Sequence, residues 1–474
     1  MESRRGALRF PRIEGFDHRS KEGIESEVMK KTFLEETVLF ISIVKWAVLA
    51  TLVGLVVGIA TTFFLKALGW SAALAQSQRY YFLLLPLALF ASSLLVKYLA
   101  PDAEGHGTEK VIEAVHKRWG KINLMVVPVK LVATIITLAL GGSAGKEGPC
   151  AQIGAGMASA MADLLKLTKE DRRKLVICGI SAGFAAVFGT PIAGALFAVE
   201  VLVLGRVLQE MLFPSMVAAI ISYQVAISFK ITYFHQLIRL PQFSQVLYFE
   251  VILAGIYFGL VALILVEVLK LAERLAKRLT IWKPWKGLIG GALLVGLALV
   301  FSSRYLGLGM DTIEAALSGD SVPSLAFLAK VLFTSLTLSM GGSGGILTPV
   351  FFIGTTAGSA FAQLLHLNTA VFAAIGMVAL LAGAANTPIA ASVMAIEIFG
   401  PSIGSYAAVA CLISYLAAGH RSVYGSQILG VTKSSSINLP LMKELESLEE
   451  VELRNKPGKI LYLIRKLWAG KKTS

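Results

Sequence analysis

Charge is scarce in this sequence. Lys, Arg, Asp and Glu make up 16% of its 474 residues, whereas soluble domains carry about 25%. Hydrophobic residues supply 55% and the mean hydropathy is +0.71, which excludes an ordinary cytosolic globular protein. Cysteine is scarcer still. Cys150, Cys178 and Cys411 stand in apolar surroundings at spacings that form no metal or redox motif, and they are expected to be buried small hydrophobes. Histidine numbers six, and His18, His116, His235, His366 and His420 read as loop or interfacial residues without paired carboxylates. H-E-x-x-H, G-x-S-x-G and paired intramembrane aspartates are missing, and an intramembrane enzyme would need one such constellation. No enzymatic activity, metal or cofactor is expected. The net charge of +14 is not accompanied by a basic and aromatic surface motif, so no nucleic-acid partner is expected either.

Long apolar segments are present instead. They follow one another from Val38 to Leu429 without a linker, as in one polytopic membrane domain. The segments are rich in Gly, Ala and Leu and do not alternate in ten-residue strands, so the spans are helices rather than the wall of a barrel. Positive charge gathers outside them: in the leading segment (Arg4, Arg5, Arg9, Arg12, Arg19), over Lys166 to Lys174, over Lys277 to Lys286 and over Lys443 to Lys472. By the positive-inside rule these regions face the cytoplasm. Residues 1–34 are thus a cytoplasmic N-terminal segment, 35–430 the transmembrane domain and 431–474 a cytoplasmic tail. The leading segment is too long and too charged for a signal peptide, and the expected location is a prokaryotic inner (plasma) membrane. Ser20 to Glu36 and Gly458 to Lys472 are candidate surface helices.

The chain repeats itself. Residues 130–149 (KLVATIITLALGGSAGKEGP) and 330–349 (KVLFTSLTLSMGGSGGILTP) align without a gap, and the stretch ending at Glu200 pairs with the stretch ending at Glu397 after a shift of three residues. Two related halves result, about 35–205 and 245–430. In membrane transporters such repeats are often inverted, and the substrate sits at the midplane where broken helices of the two halves meet. Each half here carries a break: an apolar segment stops at a Gly-rich turn and restarts at Pro149 or Pro349, and Pro is favoured at the first helical position. A helix that begins inside the membrane exposes unpaired amides and about half an elementary positive charge. Two such ends suit an anion. A cation site would instead need converging carbonyl ends or several buried carboxylates, and the spans hold few.

The same segments resemble the CLC family of chloride channels and chloride/proton antiporters. GKEGP at 145–149 is similar to the family's G-(R/K)-E-G-P motif, GGILTP at 344–349 to its G-x-F-x-P region, and Tyr424 in SVYGSQIL stands where the family places a pore tyrosine. The resemblance covers nearly the whole length. It implies a fold of two inverted-topology repeats with about eighteen mostly tilted helices, a homodimer in the lipid bilayer, and one path for chloride and protons in each subunit. Glu147 would be the gate and proton carrier: a carboxylate beside a helix start competes with an anion for the same amides when ionised and leaves when protonated. The plainer reading is a charge that complements the helix dipole. The amides of Lys146, Glu147 and Gly148 would line the outer path, and those of Ile346 and Leu347 the central site, with Leu347 in place of the usual Phe. Tyr424 would donate its O–H from the cytoplasmic side, although a lone Tyr near a span end also reads as an interfacial anchor.

Two departures stand out against the family pattern. The G-S-G-I-P motif has no literal copy, and EGHGTE at 104–109 occupies its place. This puts Gly105 and His106 at the anion site, with imidazole for the family's Ser; alternatively His106 caps or packs beside the helix begun near Thr108. The family's inner proton-transfer Glu falls on Val201, so that route is missing. Glu200 and Glu397, matched across the repeat, are expected to close helix ends, and Lys130 and Lys330, in apolar segments, to stabilise carbonyl helix ends and add positive potential around the pore, since a charge in a span is costly unless paired or facing water. Chloride/proton antiport is the favoured reading because Glu147 is retained. A passive chloride channel, which Val201 supports, is the alternative. Fluoride/proton antiport comes third, because the fluoride-selective branch also departs at the Ser motif, while GGILTP lacks the acidic residue that branch often carries.

Overall fold

The computed structural model describes residues 18–238, 240, 244–448 and 452–453, with side chains over 32–238, 240 and 244–448. Residues 1–49 form one unit and 50–474 a second. Helix α1 spans His18–Gln76 and so begins in the first unit. The helix expected over Ser20 to Glu36 is present as part of α1. After Gly23 no Gly or Pro interrupts the sequence before Gly54, and the helix runs on. The tail segment Gly458 to Lys472 lies outside the described residues.

The second unit is helical, and its helices fall into two matching sets. The first set comprises the rest of α1, α2 (Leu85–Leu99), α3 (Thr108–Lys117), α4 (Val126–Ala139), α5 (Glu147–Leu164), α6 (Lys169–Phe188), α7 (Pro191–Glu200) and α8 (Leu212–Ser228). The second comprises α9 (Gln245–Arg278), α10 (Lys283–Val300), α11 (Met310–Leu317), α12 (Ala326–Ser339), α13 (Leu347–Leu365), α14 (Thr369–Ala385), α15 (Pro388–Phe399) and α16 (Gly404–Ala417). Eight helices thus answer eight, in the order the 200-residue offset requires. The fold is the all-α arrangement of two repeats that the resemblance implies. Among the described residues, five segments are long and apolar enough to cross a membrane. By contrast, α4 and α12 have 14 residues each, about 21 Å of rise against about 30 Å of hydrocarbon, and both stop at a Gly-rich turn.

Local signals explain the ends. Thr168 caps α6 by accepting from the Asp171 amide at 3.1 Å, and the corresponding Asn368 caps α14 by accepting from Val371 at 3.1 Å. Pro191 and Pro388 open α7 and α15. After its charged first six residues, α6 is buried throughout from Leu175 to Val187, and α14 is buried throughout from Val371 to Ala385, as befits segments enclosed by other helices. Their small residues let backbones approach, which is the main source of helix association in lipid. All three cysteines are buried and free.

The halves hold each other by exchanged contacts. Gly145 and Gly345 pair as an antiparallel bridge, each amide donating to the other's carbonyl at 2.7 and 2.6 Å. The Ser143 amide donates to Thr337 Oγ1 and the Ser343 amide to Thr137 Oγ1, both at 3.1 Å. Glu200 accepts from the Ile389 and Ala390 amides at 3.0 and 2.8 Å, and Glu397 from Ile192 and Ala193 at the same two distances. Each carboxylate therefore closes a helix end, and that helix belongs to the other half. Glu397→Gln turns an amino group toward one of the two donors and is expected to cost about 1–2 kcal/mol. Thermal unfolding in detergent should show a lowered midpoint for it and a similar one for Glu200→Gln; an unchanged midpoint in both would contradict the capping role.

A short parallel ladder joins the segment after α7 to the segment bearing Tyr424, with β1 (Val203–Leu204) beside β2 (Ile428–Leu429). Further on, β3 (Ile437–Asn438) pairs antiparallel with β4 (Glu452–Leu453).

Candidate functional site

The broken helices start where the exchanged contacts concentrate. Both begin two residues earlier than the prolines suggest: Glu147 and Leu347 are the first helical residues, Lys146 and Ile346 their N-caps, and Pro149 and Pro349 stand third. The correction has a simple cause. The first four amides of a helix lack intrahelical partners, so a residue without an N–H is tolerated at the third position as well as the first. Glu147 is thus a member of α5 rather than its preceding residue.

The Glu147 side chain is 1% exposed and leaves its own helix. Its Oε2 accepts from the Thr348 amide at 3.1 Å, and its Oε1 accepts from the Thr348 hydroxyl. A charge serving only the dipole of α5 would stay by α5. This one sits instead on the first turn of α13, where amides and the positive dipole end favour an anion. Ile346 and Leu347 are buried beside it, at 1% and 0% exposure.

Helix α3 is brought to the same place by a missing side chain. A Cβ on Gly148 would lie 2.0 Å from the His106 carbonyl oxygen and 3.0 Å from Gly345 Cα, so the start of α3, the start of α5 and the central bridge touch only because Gly148 has none. The loop before α3 is fixed by Lys130, whose Nζ donates to the carbonyls of Ala103 and Gly105 at 3.1 and 2.7 Å. Lys330 does the same for Tyr305 and Gly307 at 3.1 and 2.8 Å. Each lysine satisfies the carbonyl end of a 3-10 turn, Pro101–Ala103 or Ser303–Tyr305. The Gly105 carbonyl is thus turned to Lys130.

His106 is 8% exposed, its Nδ1 has no hydrogen-bond partner, and its Nε2 is 3.9 Å from Glu273 Oε1 on α9. It does not cap α3, whose N-cap is Gly107 with no side-chain bond. Tyr424 is fully buried, which removes the interfacial-anchor reading. Its hydroxyl approaches Thr108 without a regular hydrogen bond, and both oxygens are buried without a partner; the ring lies within electrostatic reach of Glu147 and Glu109. Polar groups so placed are costly to leave unmet. Val201 is fully buried, and its carbonyl accepts from Gln427 at 2.7 Å.

Lys146 turns away from the bridge into a cavity of 1010 Å³, which Lys66, Lys230, Arg304 and Asp311 also line. Four cations face one carboxylate there. Among the described residues no group of three or more His, Cys, Asp or Glu side chains is placed to hold a metal ion. Sequence reasoning missed Thr348, Thr108 and Glu109. Thr348 and Thr108 carried a signal in retrospect, as hydroxyls in the first turn of a buried helix start.

Comparison with known proteins fits this geometry. The sequence profile described as "voltage gated chloride channel" matches residues 87–419. A chloride/fluoride channel protein of Pseudomonas syringae pv. tomato is 38% identical over 413 residues, 85% of this chain and 90% of that protein. An H(+)/Cl(-) exchange transporter, ClcA, of Citrobacter koseri is 30% identical over 389 residues, 73% and 80% of the two chains. Among solved structures, a CLC-type fluoride/proton antiporter superposes with a TM-score of 0.77 at 29% identity, covering 81% of this chain and 98% of that one. A slow cyanobacterial Cl-/H+ antiporter gives 0.70 at 25% identity over 79% and 94%.

Proposed function

The chain belongs to the voltage-gated chloride channel (CLC) family, and from that premise we propose that it exchanges a halide for protons across the membrane, with Glu147 as gate and proton carrier. One observation carries the reading: the Glu147 carboxylate is buried on the amide and hydroxyl of Thr348, at the start of the opposite half's helix. An ionised carboxylate fills a seat that would hold an anion. Protonation removes its charge and frees that seat, so proton and anion occupy the site in turn. Tyr424 and Thr108, with unpartnered hydroxyls, line the approach from the cytoplasmic side, together with the amides of Ile346 and Leu347. The cavity at Lys146 gathers anions on the outer side. Residues 1–34 and 431–474 are cytoplasmic in this reading, the membrane is the inner one, and two subunits pair with separate paths. A particle in detergent holding a single 50.6 kDa chain would contradict the pairing.

Fluoride is a cargo beside chloride. The observation in its favour is the Thr348 hydroxyl in the seat, a compact donor suited to a small, strongly hydrated ion, and it agrees with two relatives whose names include fluoride. The test uses purified protein in liposomes with a chloride or a fluoride gradient, recording halide and pH together. Proton movement driven against its own gradient by either halide is expected. Halide flux without proton movement would sink exchange in favour of a passive channel, and the absence of both fluxes would sink the reading altogether.

A further inference from the structure

Exchange requires a proton route past Tyr424, and the family's route is closed at Val201. The loop that bears the tyrosine is held by another carboxylate. Glu109, the second residue of α3, accepts from the Ser426 amide at 2.9 Å through Oε1, and its carbonyl accepts from Ser426 Oγ at 3.1 Å. These bonds hold the loop bearing Tyr424. Its Oε2, by contrast, is shut off from solvent and has no hydrogen-bond partner. A carboxylate oxygen in that condition is an atom ready to take a proton, because water no longer stabilises its charge.

The neighbours form a sequence. Thr108 precedes Glu109 on α3 and Tyr424 stands two residues before Ser426, which Glu109 holds; both hydroxyls are buried and unpartnered, and the charges of Glu109 and Glu147 both act on Tyr424. Toward the other face stand Glu273 on α9, half-buried, and Glu446 on the 3-10 turn Leu445–Ser447, exposed; both interact electrostatically with Glu109. His106 faces Glu273, and Lys110 is engaged by Glu113 at 2.9 Å, so no cation among these groups is paired with Glu109. Three carboxylates from three elements thus grade from interior to surface.

We propose that Glu109 passes protons between the Glu147 end of the pathway and the face bearing Glu273 and Glu446, in place of the carboxylate absent at Val201. The inference rests on the exchange reading. In the transfer, an O–H bond breaks at Glu147 and one forms at Glu109 Oε2. The hydroxyls of Thr108 and Tyr424 have no hydrogen-bond partner among the protein groups, so water bridges the hops; each bridging water or hydroxyl accepts one proton and donates its own, and its protonation is unchanged. Release from Glu109 to Glu273 and Glu446 restores its charge.

The test is Glu109→Gln in liposomes, measuring halide and proton fluxes together, with Glu109→Asp alongside. Gln keeps an acceptor oxygen for the Ser426 amide, so the loop stays in place. Halide-driven proton movement is expected to fall by about a hundredfold while halide continues to move, and Asp to restore part of the coupling. An unchanged proton-to-halide ratio would overturn the relay and leave Glu109 a clamp. Equal loss of both fluxes in both variants would do the same. Should the wild type itself move no protons, the exchange reading falls first and the relay with it, a result distinct from a coupled wild type with a coupled variant.

Discussion

Glu147→Gln is expected to abolish halide-driven proton movement while halide continues to cross. Gln matches Glu in length, and its oxygen can still accept from the Thr348 amide, now 3.1 Å from the carboxylate. Its amino group meets the Thr348 hydroxyl, which can turn to accept. The side chain therefore still reaches the start of α13, but as a neutral group that neither competes as an anion nor carries a proton. Loss of a positioned acid and base in proton transfer costs about 10²–10⁴-fold, which would take proton flux to background. Gln holds the seat only by neutral hydrogen bonds, which an entering anion can displace, so halide flux persists without a pH requirement. Simultaneous recording of pH and halide in liposomes decides the matter. Coupling that survives the substitution would remove Glu147 from the mechanism.

The second large effect is structural. Gly148→Ala places a methyl group 2.0 Å from the His106 carbonyl oxygen, where the obstruction is backbone and has no rotamer to adopt. Overpacking typically costs 1–3 kcal/mol, and a rigid clash at the meeting point of α3, α5 and the Gly145–Gly345 bridge belongs at the upper end, about 3 kcal/mol. Gly69→Ala is the control: nothing lies within 4 Å of its Cβ position, and a helix gains by about 0.8–1.0 kcal/mol from the exchange. Thermal unfolding should therefore move in opposite directions for the two variants. A Gly148→Ala protein as stable as the wild type would show that the contact of α3 on α5 is adjustable.

The internal repeat was legible because it is written in identities, Lys130 with Lys330 and the two GGS turns, and each match reappears as a matched contact. The pairing of Glu200 with Glu397 was legible as a closing of helix ends, but which ends they close was not. The bonds run to residues 189–205 positions away, and no local pattern encodes that distance. Thr348 escaped notice for the same reason: its partner is Glu147, 201 positions earlier. The helix starts were misplaced by two residues because proline marks the first turn and does not say which residue of it. Sequence spacing likewise placed His106 in the site, yet only the fold reveals the carboxylate on α9 that its ring faces.

The reciprocity between the halves bears on how the protein is made. During synthesis the first half enters the membrane with the Gly145 amide and carbonyl, the Ser143 amide and the first amides of α7 unmet, because every partner lies in residues not yet translated. It waits about two hundred residues for Gly345, Thr337 and Glu397 to arrive, and unsatisfied backbone in hydrocarbon costs several kcal/mol per group. Biogenesis therefore has a vulnerable interval in which the first half depends on the insertion machinery or on lipid headgroups for temporary partners. For the same reason a chain of half the length could close these bonds only by meeting a second copy in the opposite orientation, so the two halves of this protein are best regarded as a fused antiparallel pair.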